Sequence, residues 1–245
     1  MTPLQESLSK CKVEGNILSL PSISDGMLPN YAEVKKALIN AGAKYKSNTF
    51  VFPNDAQPYI DRLMGGEKVN IKKEFQFYPT PDSVCDKLVS LAGIKEDDLV
   101  LEPSAGQGAI IKAIKRVFPK KDVQWCELMD INQNVLFKLQ DKQTFICPDF
   151  LDTNLKNYFN KVIANPPFQN NQDILHIQKM YDVLKKGGRL VSISSSHWRL
   201  SNNKKETEFR KWLEKVGAEI KSLPAGAFKE SGTNIETLII VINKK

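Results

Sequence analysis

The spacing of apolar and polar residues changes near residue 75, and the two sides of this change predict different structures. From residue 75 onward, short apolar runs alternate with segments whose apolar residues recur at helical spacing. Parallel strands joined by helices produce this alternation, because such strands are buried on both faces. We therefore expect residues 75–245 to form an α/β domain around a mostly parallel sheet.

Strands and helices of this domain can be assigned one by one. The predicted strands cover Leu99–Glu102, Val123–Glu127, Thr144–Cys147, Lys161–Ala164, Arg189–Ser194, Ile220–Leu223 and Glu236–Asn243. The predicted helices cover Pro81–Ala92, Ala109–Phe118, Asp130–Gln140, Asn171–Lys185 and Lys204–Val216. Ligands of such sheets bind outside the carboxyl ends of the strands, so the residues that follow each strand are the candidates for chemistry.

In residues 1–74 the apolar runs are shorter than in the rest of the chain, polar residues are more frequent, and turn residues interrupt the pattern. A loose stretch is expected up to about Asn16, followed by a short strand over Ile17–Leu20. Apolar spacing predicts a helix over Tyr31–Ala41, and Lys44–Pro53 is typical of a hairpin. A second helix is expected to run to Met64. The pattern predicts a small α+β module of helix, hairpin and helix, with a possible role in target recognition.

Composition narrows the class of protein. The chain has 245 residues and a formal net charge of +7, which favours polyanionic partners such as nucleic acid. No apolar run approaches the 18 residues of a membrane span, and the N-terminus lacks the layout of a signal peptide. The four cysteines form no CxxC pair and the two histidines lack metal-ligand spacing. We expect a cytoplasmic protein with reduced cysteines, no metal and no membrane partner.

A glycine-containing turn, Glu102-Pro103-Ser104-Ala105-Gly106-Gln107-Gly108, follows the first predicted strand and precedes a helix. Glycines let the backbone pass close to a ligand, and the following helix N-terminus favours a negative group. Glu127 lies about 20 residues later, where an acid can bind ribose hydroxyls. The turn lacks the GxGxxG and GxxxxGK[ST] spacings. By itself it leaves nicotinamide enzymes and methyltransferases as alternatives.

Asp149 and Phe150 follow the third predicted strand. The carboxylate of Asp149 could accept from an adenine amino group, and the ring of Phe150 could stack on the base. Asp149 could equally cap the next helical turn, which is the commoner role of such a residue.

The segment Asn165-Pro166-Pro167-Phe168 follows the fourth predicted strand. Consecutive prolines cannot donate backbone hydrogen bonds, and they leave carbonyl oxygens free to accept. The Asn165 side chain adds an acceptor, and two acceptors aimed at one amino group would direct its lone pair at an incoming methyl group. Phe168 offers a ring face for a planar substrate. Alone the segment is typical of a structural turn; after the glycine turn and Glu127 it indicates an amino-group site.

Together these motifs resemble the class I S-adenosylmethionine-dependent methyltransferases, in particular the amino-methylating group with an N/D-P-P-F/Y/W motif. The resemblance runs from about Phe77 to Asn243. It implies S-adenosyl-L-methionine as cofactor and a Rossmann-like, seven-stranded, mostly parallel sheet whose last strand is antiparallel. The implied catalytic residues are Asn165, Pro166, Pro167 and Phe168. The implied cofactor-binding residues are Tyr78, Thr80, Glu102, Pro103, Ser104, Ala105, Gly106, Gly108, Glu127, Leu128, Asp149, Phe150 and Asn165.

Within this group, the motif order resembles the gamma group of DNA adenine-N6 methyltransferases, but a large C-terminal recognition domain is missing. Target recognition would then come from residues 1–74, from Gln169–Asp173 or from the loop Ser195–Lys205. A duplex base must leave the stack to be methylated, and this loop could contact phosphates or fill the vacated space. An ordinary polar loop with one anchoring aromatic residue is the alternative. The expected substrate-binding residues are Phe168, His197, Trp198, Arg199, Phe228 and Lys229.

The sequence thus predicts a small orphan or mobile-element enzyme that methylates the exocyclic amino group of adenine in double-stranded DNA. RNA adenine and protein glutamine are alternative substrates, and a non-catalytic nucleic-acid-binding protein on the same scaffold is an alternative function. Six lysines of the N-terminal module could contact nucleic acid or be ordinary solvated surface, namely Lys35, Lys36, Lys44, Lys46, Lys72 and Lys73. A monomer and a weak dimer both fit the sequence.

Overall fold

The computed structural model describes residues 1–21, 28, 30–52, 55–70, 80–229 and 236–245. The chain folds into two compact units, residues 1–77 and residues 78–245. Among the described helices, none combines the length and the apolar character that crossing a membrane requires.

The first unit contains a four-stranded antiparallel sheet in the order β1-β2-β4-β3. Its strands are β1 (Lys12–Glu14), β2 (Ile17–Ser19), β3 (Lys44–Lys46) and β4 (Thr49–Val51). Its helices are α1 (Pro3–Leu8), α2 (Tyr31–Asn40) and α3 (Gln57–Met64). The predicted hairpin is present, and Ser47 and Asn48 take the left-handed conformation at its turn.

The expected loose stretch up to Asn16 is wrong. Thr2 and Gln5 form a capping box that starts α1, in which each side chain hydrogen-bonds the other residue's backbone N–H. Strand β1 then pairs with β2, and β2 pairs with β4. The hairpin is therefore part of a larger sheet, whose buried face includes Leu18 and Phe50. Strands of three residues carry too little alternation to be recognised from sequence.

The second unit is built on a six-stranded sheet in the order β6-β5-β7-β8-β10-β9. The strands are β5 (Val100–Glu102), β6 (Val123–Trp125), β7 (Phe159–Ala164), β8 (Leu184–Ser195), β9 (Glu219–Ser222) and β10 (Thr237–Asn243). The helices are α4 (Asp82–Ala92), α5 (Ala109–Val117), α6 (Asp130–Leu139), α7 (Gln172–Val183) and α8 (Lys204–Val216). Strands β6, β5, β7 and β8 are parallel, and β10 is antiparallel to both of its neighbours. The predicted α/β class and antiparallel last strand are confirmed.

The strand predicted over Thr144–Cys147 is reduced, in the described structure, to one parallel bridge between Trp125 and Phe145. A short 3-10 turn, Lys142–Thr144, occupies the start of the predicted strand. The Thr144 hydroxyl donates to the Asp141 carbonyl at 2.6 Å and accepts from the Trp125 indole at 2.9 Å. These side-chain bonds hold the segment beside β6 without a regular ladder, so the described sheet has six strands.

Helices cover both faces of this sheet. Val100 lies in one core cluster with residues of α4 and α5, whereas the next residue, Leu101, lies in the other with residues of α7 and α8. Successive strand residues point to opposite faces, so burial on both sides accounts for the continuous apolar runs of the sequence.

The helix predicted to reach Lys185 ends at Val183 instead, and β8 begins at Leu184. Gly187 and Gly188, predicted to stop the helix, lie inside β8. A Cβ on Gly188 would come within 3.0 Å of the Asn160 carbonyl oxygen on β7. This glycine therefore permits close strand approach and does not end the helix.

Candidate functional site

The carboxyl ends of the parallel strands β5, β6, β7 and β8 meet at one edge of the sheet. The glycine turn leaves β5 at this edge, the Glu127 segment leaves β6, and the Asn165–Phe168 segment leaves β7. In the glycine turn, Pro103 and Ala105 are buried and Ser104 is half-buried. Because each of these segments follows a strand that ends at this edge, three of the predicted motifs lie on one side of the sheet.

Gly106 and Gly108 shape the turn between β5 and α5. Both have positive φ, at 54° and 76°. A Cβ on Gly108 would lie 2.9 Å from side-chain atoms of Leu136 and Leu139, which belong to α6. Glycine is required at 108 for both its conformation and its close approach to the neighbouring helix.

The carboxylate of Glu127 is held by three donors. One oxygen accepts from the backbone N–H of Gly106 at 2.6 Å; the other accepts from the Met129 N–H at 3.0 Å and from Asn132 Nδ2 at 3.1 Å. Burial raises the pKa of Glu127 above its ordinary value, and the three hydrogen bonds partly offset that rise. Glu127 thus ties the glycine turn to the segment that follows β6.

Glu102, the last residue of β5, is 2% exposed. Within the described part of the chain, its Oε2 atom has no hydrogen-bond partner. Burial, and secondarily the charge of Glu127, raise the pKa of Glu102 well above its ordinary value, while a bond from the Ile111 backbone opposes the shift. This shift favours the neutral form of the side chain, which can donate its proton.

Asp149 caps the 3-10 turn Phe150–Asp152 by accepting from the Leu151 N–H at 2.9 Å. The capping alternative for this residue is therefore the arrangement observed. The Phe150 ring is 1% exposed and lies 5.8 Å from the ring of His176. It packs in the core and offers no free face.

His176 is a residue of this edge that the sequence did not single out. Its Nδ1 lies 3.4 Å from the Ser104 hydroxyl, so it links α7 to the glycine turn. Burial lowers the pKa of His176 to about 4, although Asp149 acts in the opposite direction. The imidazole is therefore neutral near pH 7. No metal-ligand spacing or motif accompanies it, so only its three-dimensional neighbours reveal it.

Asn165 has one half of its amide engaged and the other half free. Its Nδ2 donates to the Thr80 hydroxyl at 3.0 Å. Its Oδ1 is buried and has no hydrogen-bond partner among the described residues. Pro166 is buried, and the half-buried ring of Phe168 packs on the edge of the first core cluster. A buried acceptor without a donor is uncommon in folded proteins, so this oxygen is available to accept from a bound group.

Two further aromatic residues, expected at the substrate, are buried in the described structure. Trp198 is 2% exposed, donates to the Ser194 hydroxyl at 2.8 Å and packs its ring against Phe209 at 5.3 Å. Phe228 is 3% exposed and belongs to the first core cluster. The expected direct contact of these rings with a substrate needs correction, because a side chain with almost no exposed area cannot stack on a base.

Other predicted residues are exposed. His197, Arg199 and Lys229 all have exposed side chains, and Leu128 is 59% exposed. Leu200, which no sequence motif includes, follows Arg199 and is 91% exposed. The signal for Leu200 in the sequence is its apolar side chain within a mostly polar loop. The predicted cofactor residue Tyr78 lies outside the described residues, as do Lys72 and Lys73.

The known proteins that are similar to this chain align with only part of its length. No protein-family model matches the chain. It is 25% identical over 165 residues to the "Type II restriction enzyme and methyltransferase RM.BcgI" of Heyndrickxia coagulans, an alignment covering 55% of this chain and 26% of that protein. It is 31% identical over 146 residues to the "Ribosomal RNA small subunit methyltransferase A" of Hydrogenobaculum sp. (strain Y04AAS1), covering 54% and 58%. The chain thus spans less than two thirds of either relative.

A crystal structure from Listeria monocytogenes, described as a class I S-adenosylmethionine-dependent methyltransferase, superimposes with a TM-score of 0.55 at 19% identity. The match covers 77% of this chain and 66% of that one. The chain has the class I methyltransferase fold. In this methyltransferase fold, the glycine turn, Glu127 and Asn165–Phe168 follow three adjacent parallel strands.

Proposed function

We propose that the chain transfers a methyl group from S-adenosyl-L-methionine to the exocyclic amino nitrogen of adenine in DNA. The observation that carries this proposal is the buried Oδ1 of Asn165, which follows β7 on a methyltransferase fold and has no hydrogen-bond partner among the residues that the structure describes. Similarity to a restriction enzyme and methyltransferase favours DNA as the polymer.

The Thr80 hydroxyl determines which end of the Asn165 amide faces the substrate. Because Nδ2 donates to Thr80 at 3.0 Å, Oδ1 is the atom left to accept. A buried acceptor without a partner costs about 1–3 kcal/mol, which an amino group would recover by donating to it. The proline carbonyls provide further acceptors beside it. An amino group held by both its hydrogens directs its nitrogen lone pair away from them.

Phe168 supplies the second constraint. Its ring is half-buried, so one part is anchored in the core while the rest can stack on a planar base. Stacking limits the base to one plane, and the acceptors at Asn165 limit its rotation within that plane. The proposed catalysis is therefore positioning of the nucleophile, which needs no strong base.

The glycine turn and the two glutamates fit the cofactor. When bound, S-adenosyl-L-methionine supplies an electrophilic methyl group on a positively charged sulfur. Glu127 would accept from the ribose hydroxyls with a carboxylate already held by backbone and amide donors. Glu102 would bind a polar group of the methionine moiety through Oε2, which has no hydrogen-bond partner in the described part of the chain. Gly106 and Gly108 have no side chains, so the backbone of the turn can come close to the cofactor.

The remaining proposed cofactor contacts come from the same strand ends. Asp149 retains an acceptor oxygen beyond its cap, and Leu128 is exposed beside Glu127 and could cover the adenine ring. The other residues that we assign to cofactor binding are Tyr78, Thr80, Pro103, Ser104 and Ala105.

The loop after β8 would help the enzyme to reach a base in duplex DNA. A target base must leave the stack, which costs a few kcal/mol. Leu200, 91% exposed, could enter the space left behind, as apolar wedges do in other DNA-binding proteins. Arg199 and Lys229 would contact phosphates. The lysines of the first unit remain candidates for wider contacts with the duplex.

RNA adenine is the second candidate substrate, because the relative from Hydrogenobaculum is a ribosomal RNA methyltransferase at 31% identity. The two candidates share the proposed amino-group site and differ in the polymer that carries it. Tritium transfer from labelled S-adenosyl-L-methionine to duplex DNA, ribosomal RNA and a protein extract separates them from each other and from glutamine methylation.

The site itself is tested with Asn165→Ala and Phe168→Ala, with Asn154→Ala as control. Asn154 lies exposed in a loop, so the control makes the same chemical change away from the site. We expect both site variants to lose methyl transfer by at least about a hundredfold, as displaced reacting groups do, while the control matches wild type. Full activity in both site variants would overturn the proposed mechanism. Calorimetry without cofactor binding by wild type would favour the non-catalytic alternative.

A further inference from the structure

The loop after β8 presents a large apolar side chain to solvent, although the loop itself is anchored on both sides of that side chain. Leu200 is 91% exposed. An apolar side chain is stabilised by burial, and the conformation of this loop leaves Leu200 unburied. The contacts that hold the loop in this conformation therefore bear on the role of Leu200.

The first anchor is Trp198, two residues before Leu200. The Trp198 indole N–H donates to the Ser194 hydroxyl at 2.8 Å, and its ring lies 5.3 Å from the ring of Phe209 at an angle of 87°. Trp198 lies within a 3-10 turn, His197–Arg199, and is 2% exposed. The backbone that leads into Leu200 is thus fixed to the end of β8 and to α8.

The second anchor is Arg210, which lies on α8. Its Nη1 atom donates to the carbonyl oxygens of Trp198 and Ser201, the latter at 2.7 Å. These two carbonyls flank Arg199 and Leu200 in the chain. Because Nη1 carries two hydrogens, it can donate one to each carbonyl. The guanidinium therefore bridges the short segment that carries Leu200 and fixes both of its ends to the helix.

Helix α8 in turn orients the guanidinium of Arg210. The Nη2 atom donates at 3.1 Å to the hydroxyl of Thr207, three residues earlier on the same helix. The Thr207 N–H donates to the Asn203 carbonyl at 3.0 Å, where the helix begins. Arg210 is half-buried, and the planar guanidinium loses little freedom for each hydrogen bond that it forms. The bridge is therefore a fixed feature of the helix.

The bonds from Arg210 to the loop act on its backbone and leave the side chain of Leu200 exposed. They end on main-chain oxygens, and Leu200 has φ −108° and ψ −14°, a right-handed conformation without strain. The loop thus holds an exposed apolar side chain in one place.

We propose that Arg210 is a positioning residue, which holds Leu200 ready to enter the space that an extruded base leaves in duplex DNA. The proposal rests on the proposed function, because such a space exists only when a target base leaves a duplex. A side chain that is fixed before binding loses less conformational freedom when it enters the base stack. The bridge is therefore expected to matter for a duplex and to matter little for a single strand.

A purely structural role of Arg210 has a different consequence. Loss of the bridge would then disturb α8, and methyl transfer to every form of DNA would decrease together. A single strand and a duplex of the same sequence carry the same adenine to the Asn165–Phe168 segment. Comparing the two forms therefore isolates the step in which the base leaves the stack.

Kinetics separate the two roles with Arg210→Gln, and with Lys215→Gln as a control that removes one positive charge from an exposed position of the same helix. We expect kcat/KM of Arg210→Gln to fall about tenfold on duplex DNA and less than about twofold on the single strand. The control should match wild type on both. Equal losses of Arg210→Gln on the two forms would overturn the proposal.

Arg210→Lys keeps the charge and lacks the planar fork that binds both carbonyls. We expect it to show the same selective loss on duplex DNA, and it replaces Arg210→Gln if circular dichroism shows that the latter does not fold. Wild-type kcat/KM of Arg210→Lys on the duplex would show that the bridge has no positioning role.

A double-mutant cycle tests whether Arg210 acts through Leu200. Leu200→Ala removes the side chain that the bridge would position, so loss of the bridge should then have no further effect. We expect kcat/KM of Arg210→Gln/Leu200→Ala on duplex DNA to lie within about twofold of Leu200→Ala alone. Losses that multiply, to about a hundredfold in all, would show that the two residues act separately and would overturn the proposal.

Backbone nitrogen relaxation tests the bridge without any activity measurement. In wild type we expect order parameters of about 0.85 for Arg199, Leu200 and Ser201, as in a rigid backbone, and values below about 0.6 in Arg210→Gln. Equal values in the two proteins would overturn the bridge. Wild type that transfers methyl to no polymer would instead overturn the proposed function, and the relaxation data would still decide whether Arg210 holds the loop.

Discussion

The side-chain nitrogen of Asn165 donates to the hydroxyl oxygen of Thr80 at 3.0 Å, joining residues 85 positions apart. Thr80 precedes α4, and Asn165 follows β7. Through this bond, a residue near the start of the second unit orients the amide of the proposed amino-group site. The free Oδ1 is a consequence of that orientation.

Thr80→Val removes the acceptor of this bond and preserves the shape of the side chain. The amide of Asn165 can then rotate, so we expect kcat for methyl transfer to fall about tenfold or more. Thr80→Ser retains the hydroxyl and should keep most of the activity. Steady-state kinetics on the preferred polymer compare the two variants. Equal kcat values for Thr80→Val and wild type would show that the bond does not orient the amide.

Leu200→Ala tests the proposed wedge in duplex DNA. A wedge compensates the loss of stacking, which exists only when the base is extruded from a duplex. We expect the variant to lose about tenfold in kcat/KM on duplex DNA and little on the single strand. Leu175→Ala, at a partly exposed position of α7, is the matched control. Equal losses on both DNA forms would contradict the wedge.

Glu102→Gln should alter how stability depends on pH. Since the pKa of folded Glu102 lies well above the unfolded value of 4.5, unfolding at a pH between those two pKa values releases a proton. The free energy of unfolding of wild type therefore falls as pH rises above 4.5, by at most about 1.4 kcal/mol per pH unit from this group. Denaturant unfolding between pH 5 and pH 8 should show a smaller decline for Glu102→Gln. Glu214→Gln, which is exposed, should decline like wild type.

His176→Gln should reduce sensitivity to acid. The pKa of His176 falls from 6.5 when unfolded to about 4 when folded, so its contribution to stability is complete above 6.5 and is lost as pH falls towards 4. The full effect is about 3 kcal/mol. Unfolding measured at pH 7 and pH 5 should show a smaller drop for the variant. The same drop in both proteins would mean that His176 is not neutral in the fold.

Much of the second unit could be predicted from the sequence because its signals are local. The helix over Lys204–Val216 has its predicted bounds, and Gly217 ends it in the left-handed conformation. The strand that ends at Ala164 was expected there, directly before Asn165. Apolar spacing, a helix-ending glycine and a proline pair act within a few residues, and they persist in the folded chain.

Interactions distant in sequence could not be predicted. Trp198 lies in a polar loop, yet its ring is buried against Phe209 of α8 and its indole is bonded to Ser194. The short β1 strand forms because β2 pairs with it, and the three residues of β1 contain no recognisable pattern. Burial and pairing of this kind depend on partners that only the folded chain brings close.

The sequence by itself determined the class of fold, the order of the motifs and their location at strand ends, because the spacing of apolar residues decides which segments form strands and which form helices. Only the tertiary structure decided which atoms of those motifs are free. The Thr80 hydroxyl accepts from the amide nitrogen of Asn165, and the Gly106 N–H donates to one oxygen of Glu127. The Ser195 hydroxyl lies within hydrogen-bond distance of Nδ1 of His197. Each of these bonds depends on distance and donor direction in three dimensions, which residue identity does not specify.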